Sequence, residues 1–280
     1  MKLGLFGINF GPCADPVVAL RVARAAEAAG FESVWTGEHV VLPDPRVPPS
    51  PSDPQTPFLD PAVALSHIAA HTERIRLGTG VIILPQRNPV VLAKELASVD
   101  VVSKGRLIFG LGAGYLEPEF RALGAPFEDR GAVTDEAIEA IKALWTMDKP
   151  AYKGRFFSFS GIDSQPRPIQ KPHPPIVVGG MSRLGVLRAA RFGNGWYGFL
   201  TDIDTTAERI EWLRVFRANG MRPSELGEVE ISVTPPKRLT REVVDKYEAI
   251  GVHRLIMASN ATTLEGVLRF VDEIGKITSR

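Results

Sequence analysis

Four groups of residues in this chain could do chemistry. Glu38-His39 sets a carboxyl beside an imidazole, and histidine titrates near neutral pH, so the pair could move protons. Gly179-Gly180-Met181-Ser182 is a glycine turn that runs into a helix N-terminus. Unpaired amides and the positive end of the helix dipole make an anion site there, with the Ser182 hydroxyl and Arg183 as further donors. Ser182 could equally do no more than cap the helix. His67 and His71 lie four apart, as a metal pair would, but no third ligand accompanies them, so a surface or interface helix explains them better. The glycine run 110–114 lacks the spacing of a dinucleotide fingerprint and falls inside a strand, which argues against a Rossmann reading.

These groups need a frame, and a repeated unit supplies it. Asp15-Pro16 opens an Ala/Val/Leu-rich segment, 17–29, which Gly30 closes. Asp60-Pro61 and Asn88-Pro89 open segments 62–71 and 90–102 in the same way. Asp and Asn are good N-caps, Pro is tolerated at the first helical position, and Gly is favoured just past the end. Apolar strand-like runs precede the three helices, at 3–8, 33–36 and 76–84. The alternation continues with strands at 107–111, 175–178, 195–200, 229–234 and 254–258. Helices follow them at 131–144, 183–192, 207–218, 241–250 and 264–274, and glycines 193, 220 and 251 close three of these. Eight strand–helix units predict a closed (β/α)8 barrel as a single domain spanning 1–280. Insertions are expected after the second and fourth strands (43–57 and 115–130) and after the fourth helix (149–174). The aromatic residues Phe156, Phe157 and Phe159 predict a small hairpin in the last of these, over the barrel bottom.

Composition narrows the function classes. A formal net charge of +1 gives no electrostatic case for nucleic acid or anionic lipid. No apolar run is long enough to span a membrane, and the short apolar start reads as a buried strand rather than a signal peptide. The single cysteine, Cys13, fits a cytoplasmic location. Catalysis in a (β/α)8 barrel is expected at the C-terminal strand ends. Here those ends carry mainly glycine and small residues, a poor setting for a metal hydrolase and a better one for a large flat ligand. Trp35, Trp145, Trp196 and Trp212 read as packing, though Trp196-Tyr197 could wall the pocket.

Taken together, these residues resemble the luciferase-like monooxygenase superfamily, in particular its branch of coenzyme F420-dependent oxidoreductases. The resemblance rests on Gly37-Glu38-His39, Arg76-Leu77-Gly78-Thr79-Gly80-Val81, Asn88-Pro89 and Gly105-Arg106-Leu107 into Gly112-Ala113-Gly114. It extends through Glu119-Phe120, Arg130-Gly131, Val178-Gly179-Gly180 and Gly193-Asn194-Gly195-Trp196. It implies F420, or alternatively FMN, held by Gly80, Val81, Gly112, Gly114, Gly179, Gly180, Met181 and Ser182, with a cis peptide at Gly80–Val81 and catalysis by His39 and Glu38. It also implies a homodimer, a small-molecule substrate and a reductase partner, for flavin or for F420. One departure stands out. F420-dependent dehydrogenases carry a glutamate directly after the fourth-strand glycines, and this chain has Tyr115, so the acid/base partner of His39 is left open. The long lid of the true luciferases after the seventh strand is also missing, which favours direct hydride transfer over light emission. A flavin-binding relative without turnover is the remaining alternative.

Overall fold

The computed structural model describes residues 1–278. Three prolines at first helical positions set the early frame. Asp15 accepts hydrogen bonds from the Val17 and Val18 amides, Asp60 from Ala62 and Val63, and Asn88 from Val90 and Val91. Each cap supplies partners for amides that the helix cannot satisfy, at about 1 kcal/mol apiece. The helices so started are α1 (Pro16–Ala28), α2 (Pro61–Ala69) and α3 (Pro89–Val102). They alternate with β1 (Lys2–Phe6), β2 (Ser33–Thr36), β3 (Arg76–Thr79) and a short β4 (Ile82–Ile83). After β5 (Leu107–Gly112) come α4 (Glu117–Ala122), α5 (Arg130–Thr146) and a hairpin of β6 (Tyr152–Lys153) and β7 (Ser158–Phe159). The rest is β8 (Ile176–Gly179), α6 (Arg183–Phe192), β9 (Gly195–Gly198), α7 (Ile203–Ala218), β10 (Glu230–Val233), α8 (Arg241–Ala249), β11 (Arg254–Ala258) and α9 (Leu264–Thr278).

The strands run parallel in the order β3, β2, β1, β11, β10, β9, β8, β5, and β5 pairs with β3, so the sheet closes on itself. This is the expected (β/α)8 barrel. One core lies between strands and helices. A smaller one, made of Trp35, Ile108, Val177, Tyr197 and Ile256, fills the interior. Trp35 takes up most of that space: a Cβ on Gly4 would meet its Nε1 at 2.8 Å, and one on Gly78 would overlap its ring. Below it, Arg254 is fully buried and bonds Glu32, Glu230 and Ser232.

Five details differ from expectation. The 76–84 strand is broken, because the pairing with β5 changes by one register position between Gly78↔Ile108 and Ile82↔Leu111. One extra residue is accommodated between them as a bulge, where the Gly80–Val81 peptide is cis, as the resemblance implied. Segment 115–130 contains the helix α4, whose buried Leu116 and Phe120 are spaced as one helix face. The hairpin lies along α5 rather than across the barrel bottom, because Glu136 of α5 accepts the amides of Arg155, Phe156 and Phe157 in its turn. Asp202 caps α7 and starts it four residues earlier than 207. Gly193 does not close α6 in the left-handed region, as Gly30, Gly220 and Gly251 do for theirs; it is needed for close approach, since its Cβ would meet the Gly195 carbonyl at 2.9 Å.

Candidate functional site

The C-terminal strand ends gather most of the predicted residues on one face. At the β3–β4 bulge the Val81 side chain lies on two glycines of neighbouring strands. A Cβ on Gly179 would meet Val81 at 2.9 Å, and one on Gly112 would meet it at 3.0 Å. Gly80 sits against the Thr36 carbonyl, which accepts its amide at 2.9 Å. Thr79 stitches the bulge to β5, its hydroxyl both donating to the Gly110 carbonyl and accepting from the Gly110 amide. Gly80, Val81, Gly112 and Gly179 therefore form one small-residue floor above Trp35 and Ile108.

At the edge of this floor the chain turns through Gly180, with φ +146°, into α6. Gly180 and Gly185 touch backbone to backbone, a Cβ on Gly185 meeting Gly180 Cα at 3.2 Å. Gly185 escaped sequence reasoning, yet a glycine at the third helical position costs about 1 kcal/mol against alanine and so signals a packing need. Ser182 caps α6 by accepting the Gly185 amide at 3.2 Å. Its hydroxyl proton stays free, and the Arg183 and Leu184 amides, first in the helix, have no earlier carbonyl to bond. The Met181 carbonyl accepts from Arg209 of α7, which fixes the turn. Arg183 folds away over Trp212 and Phe216, so the amides and Ser182, rather than that guanidinium, face the turn. Glycine, capped helix and directed amides together fit a planar cofactor carrying a phosphate.

Two predicted residues go elsewhere. Gly114, with φ +77°, packs under α4, where a Cβ would meet Ile83 at 2.6 Å and Phe120 at 2.7 Å. It makes room for α4 rather than for a ligand. Glu38 turns away from His39: its carboxylate accepts the Ile83 amide at 2.5 Å and pairs with Arg87, which also bonds Asp60. Burial pushes the Glu38 carboxyl up, with the Arg87 guanidinium opposing. The expected Glu38–His39 couple is not formed, because adjacent side chains at this strand end diverge to opposite partners.

His39 meets a residue that the sequence reading did not assign. Its Nδ1 lies 3.2 Å from Glu119 Oε2, and the Glu119 side chain is fully buried. Glu119 Oε1 accepts the Val40 amide at 2.6 Å. Despite burial, which works the other way, His39 and these donors hold the Glu119 carboxyl below its ordinary range. With Glu119 ionised, Nδ1–H donates to it and Nε2 is left to exchange a proton. Asn9 fixes the strand end from below, bonding both the amide and the carbonyl of Gly37. Burial and the nearby Glu119 charge push the Tyr115 hydroxyl up, so the phenol stays a proton-bearing donor at neutral pH. Trp196 lies in the outer core and donates to the Gly180 carbonyl, while Tyr197 faces inward and bonds Thr234. His67 and His71 bond the Pro16 and His67 carbonyls, respectively, and no metal-binding cluster exists among the described residues.

The family described as luciferase-like monooxygenase matches residues 12–258. The chain belongs to this family. Its members are oxidoreductases or monooxygenases that use F420 or FMN. An uncharacterized protein of Mycobacterium tuberculosis is 30% identical over 262 residues, 90% of each chain. The oxygenase component of the flavin-dependent trigonelline monooxygenase of Acinetobacter baylyi is 34% identical over 161 residues, covering 57% of this chain and 41% of that protein. Among solved structures, monooxygenase RslO1 from Streptomyces bottropensis aligns with TM-score 0.81 at 23% identity, over 99% of this chain and 98% of that one. An F420-dependent secondary alcohol dehydrogenase aligns at 0.79 with 16% identity, over 99% and 97%. At those identities the likeness is one of fold. No helix of the described residues is long and apolar enough to cross a membrane.

Proposed function

We propose that this protein is an F420-dependent oxidoreductase that passes a hydride between the deazaflavin and a small organic substrate. The observation that carries the proposal is the buried His39–Glu119 pair at the same barrel end as the Val81 floor. When bound, F420 supplies a two-electron hydride centre. The chain supplies the rest. Val81, bedded on Gly112 and Gly179, supports one face of the flat ring system, and Gly80 keeps that approach open. Gly179, Gly180, Met181 and Ser182 hold the phosphate through backbone amides and the Ser182 hydroxyl. His39 is the catalytic residue, exchanging a proton at Nε2 with the substrate oxygen. Glu119 positions it by accepting Nδ1–H, which leaves Nε2 toward the substrate. Glu38 acts through Arg87 and Ile83 by anchoring the end of β2.

An FMN-dependent monooxygenase with a separate reductase is the second reading, supported by the trigonelline oxygenase relative. One experiment separates the two. Purified protein is mixed with reduced F420 and a carbonyl panel without dioxygen. The proposal expects substrate-dependent oxidation of F420 that is lost in His39→Ala. Turnover that requires FMN, a reductase and dioxygen would establish the second reading.

A further inference from the structure

The rim around His39 is lined with aromatic rings from several strand ends. Phe6 ends β1, Phe10 and Phe58 lie in the loops after β1 and β2, Tyr115 follows β5, and Phe199 follows β9. They touch in series. Phe199 lies 5.1 Å from Phe6, Phe6 lies 5.5 Å from Phe10, and Phe10 stacks on Phe58 at 4.8 Å. His39 then stands edge-on to Phe58 at 5.7 Å and to Tyr115 at 6.3 Å. The rings are not simply core. Phe199 is 43% exposed and Tyr115 50%, while Phe6, Phe10 and Phe58 are half-buried.

The backbone is shaped to hold one of them. Gly7 adopts φ +93°, and a Cβ there or on Gly37 would meet the Phe10 ring at 3.1 Å. Two strand ends give up side chains to seat a ring that remains partly open to solvent. The guanidinium groups of the neighbouring loops are turned to other partners: Arg87 to Glu38 and Asp60, Arg46 to Asp53 and the Ser50 carbonyl, and Arg183 to Trp212. A charged substrate would lose water here without gaining a counter-charge. A flat apolar one gains ring contacts of offset or edge geometry.

We infer that the substrate is an uncharged, planar aromatic compound, whose ring system packs on Phe58, Phe10 and Phe199 and whose carbonyl or hydroxyl oxygen meets His39. This inference rests on the proposed redox site but concerns binding, which is measured separately.

The probes are 2-acetylnaphthalene, 2-dodecanone and 2-naphthoate, which are respectively flat and neutral, flexible and neutral, and flat and charged. Each is titrated by calorimetry into the protein alone and into protein saturated with F420 or with FMN. The inference expects acetylnaphthalene to bind about tenfold more tightly than either of the others. Phe58→Leu and Phe199→Leu, which keep apolar bulk and remove a ring, should each weaken it about fivefold and change dodecanone binding less. Phe199 is exposed enough that its variant tests the idea without unfolding the barrel. Equal or tighter binding of dodecanone or naphthoate, or ring variants without selective effect, would overturn the inference. If neither cofactor binds while the naphthyl preference persists in the protein alone, the cofactor reading fails and the substrate class stands.

Discussion

His39 Nδ1 and Glu119 Oε2 lie 3.2 Å apart, brought together from positions 80 residues apart in the chain. The carboxylate comes from the first turn of α4, four residues beyond Tyr115. The chain can reach there because Gly114 turns with φ +77° and leaves room for Phe120. Replacing His39 with Ala should lower turnover by about 10² to 10⁴, the usual span for a general acid or base, with cofactor affinity changed only a few-fold. Glu119→Gln should keep an acceptor for Nδ1–H but remove the ionised carboxylate, giving a smaller loss of turnover and an altered pH–rate profile. Steady-state kinetics beside cofactor titration check both.

Glu119 also titrates with folding. Its folded pKa lies below its unfolded value, so the native state binds fewer protons there. That stabilisation is complete above the unfolded value and is lost as pH falls through the lower folded one. Denaturant unfolding of Glu119→Gln should therefore depend less on pH than the wild type in the acid range, below about 4.5. Identical acid slopes would mean that the carboxylate is not held as described.

Arg87 should prove structural rather than catalytic. Arg87→Met leaves Glu38 buried without its guanidinium partner and is expected to destabilise the fold by about 3 kcal/mol. The double variant Arg87→Met with Glu38→Leu should recover part of that loss. A double-mutant cycle measures the coupling.

Much of this was legible in the sequence because local chemistry matched the final structure. The Asp-Pro and Asn-Pro caps and the alternating apolar runs mark the barrel units without tertiary information. Gly80, Gly112, Gly179 and Gly180 were visible as glycines at or near strand ends, and Val81 entered only through the family resemblance. What stayed hidden depends on side-chain direction across long separations. Glu38 and His39 are adjacent in sequence, but one reaches Arg87 and the other Glu119, and no periodicity of β2 encodes that divergence. The seating of Phe10 by Gly7 and Gly37 has the same character, since it joins two strand ends through one ring. Arg254 with Glu32 and Glu230 is a third case, spread over three strands or strand entries.

Gly179→Ala places a methyl group where Val81 now rests, at 2.9 Å, and should displace the floor. Gly180→Val adds a side chain at φ +146° in the turn, where only glycine is at ease. Both should weaken cofactor binding, the second through the phosphate. Circular dichroism establishes that each variant is folded before its affinity is compared with the wild type.

The most direct test is a pair of binding titrations of the purified protein, one with F420 and one with FMN, read by fluorescence and calorimetry. Saturable F420 binding with about one ligand per chain is expected, weakened in Gly180→Val and retained in His39→Ala. Tight binding of FMN with none of F420 would contradict it.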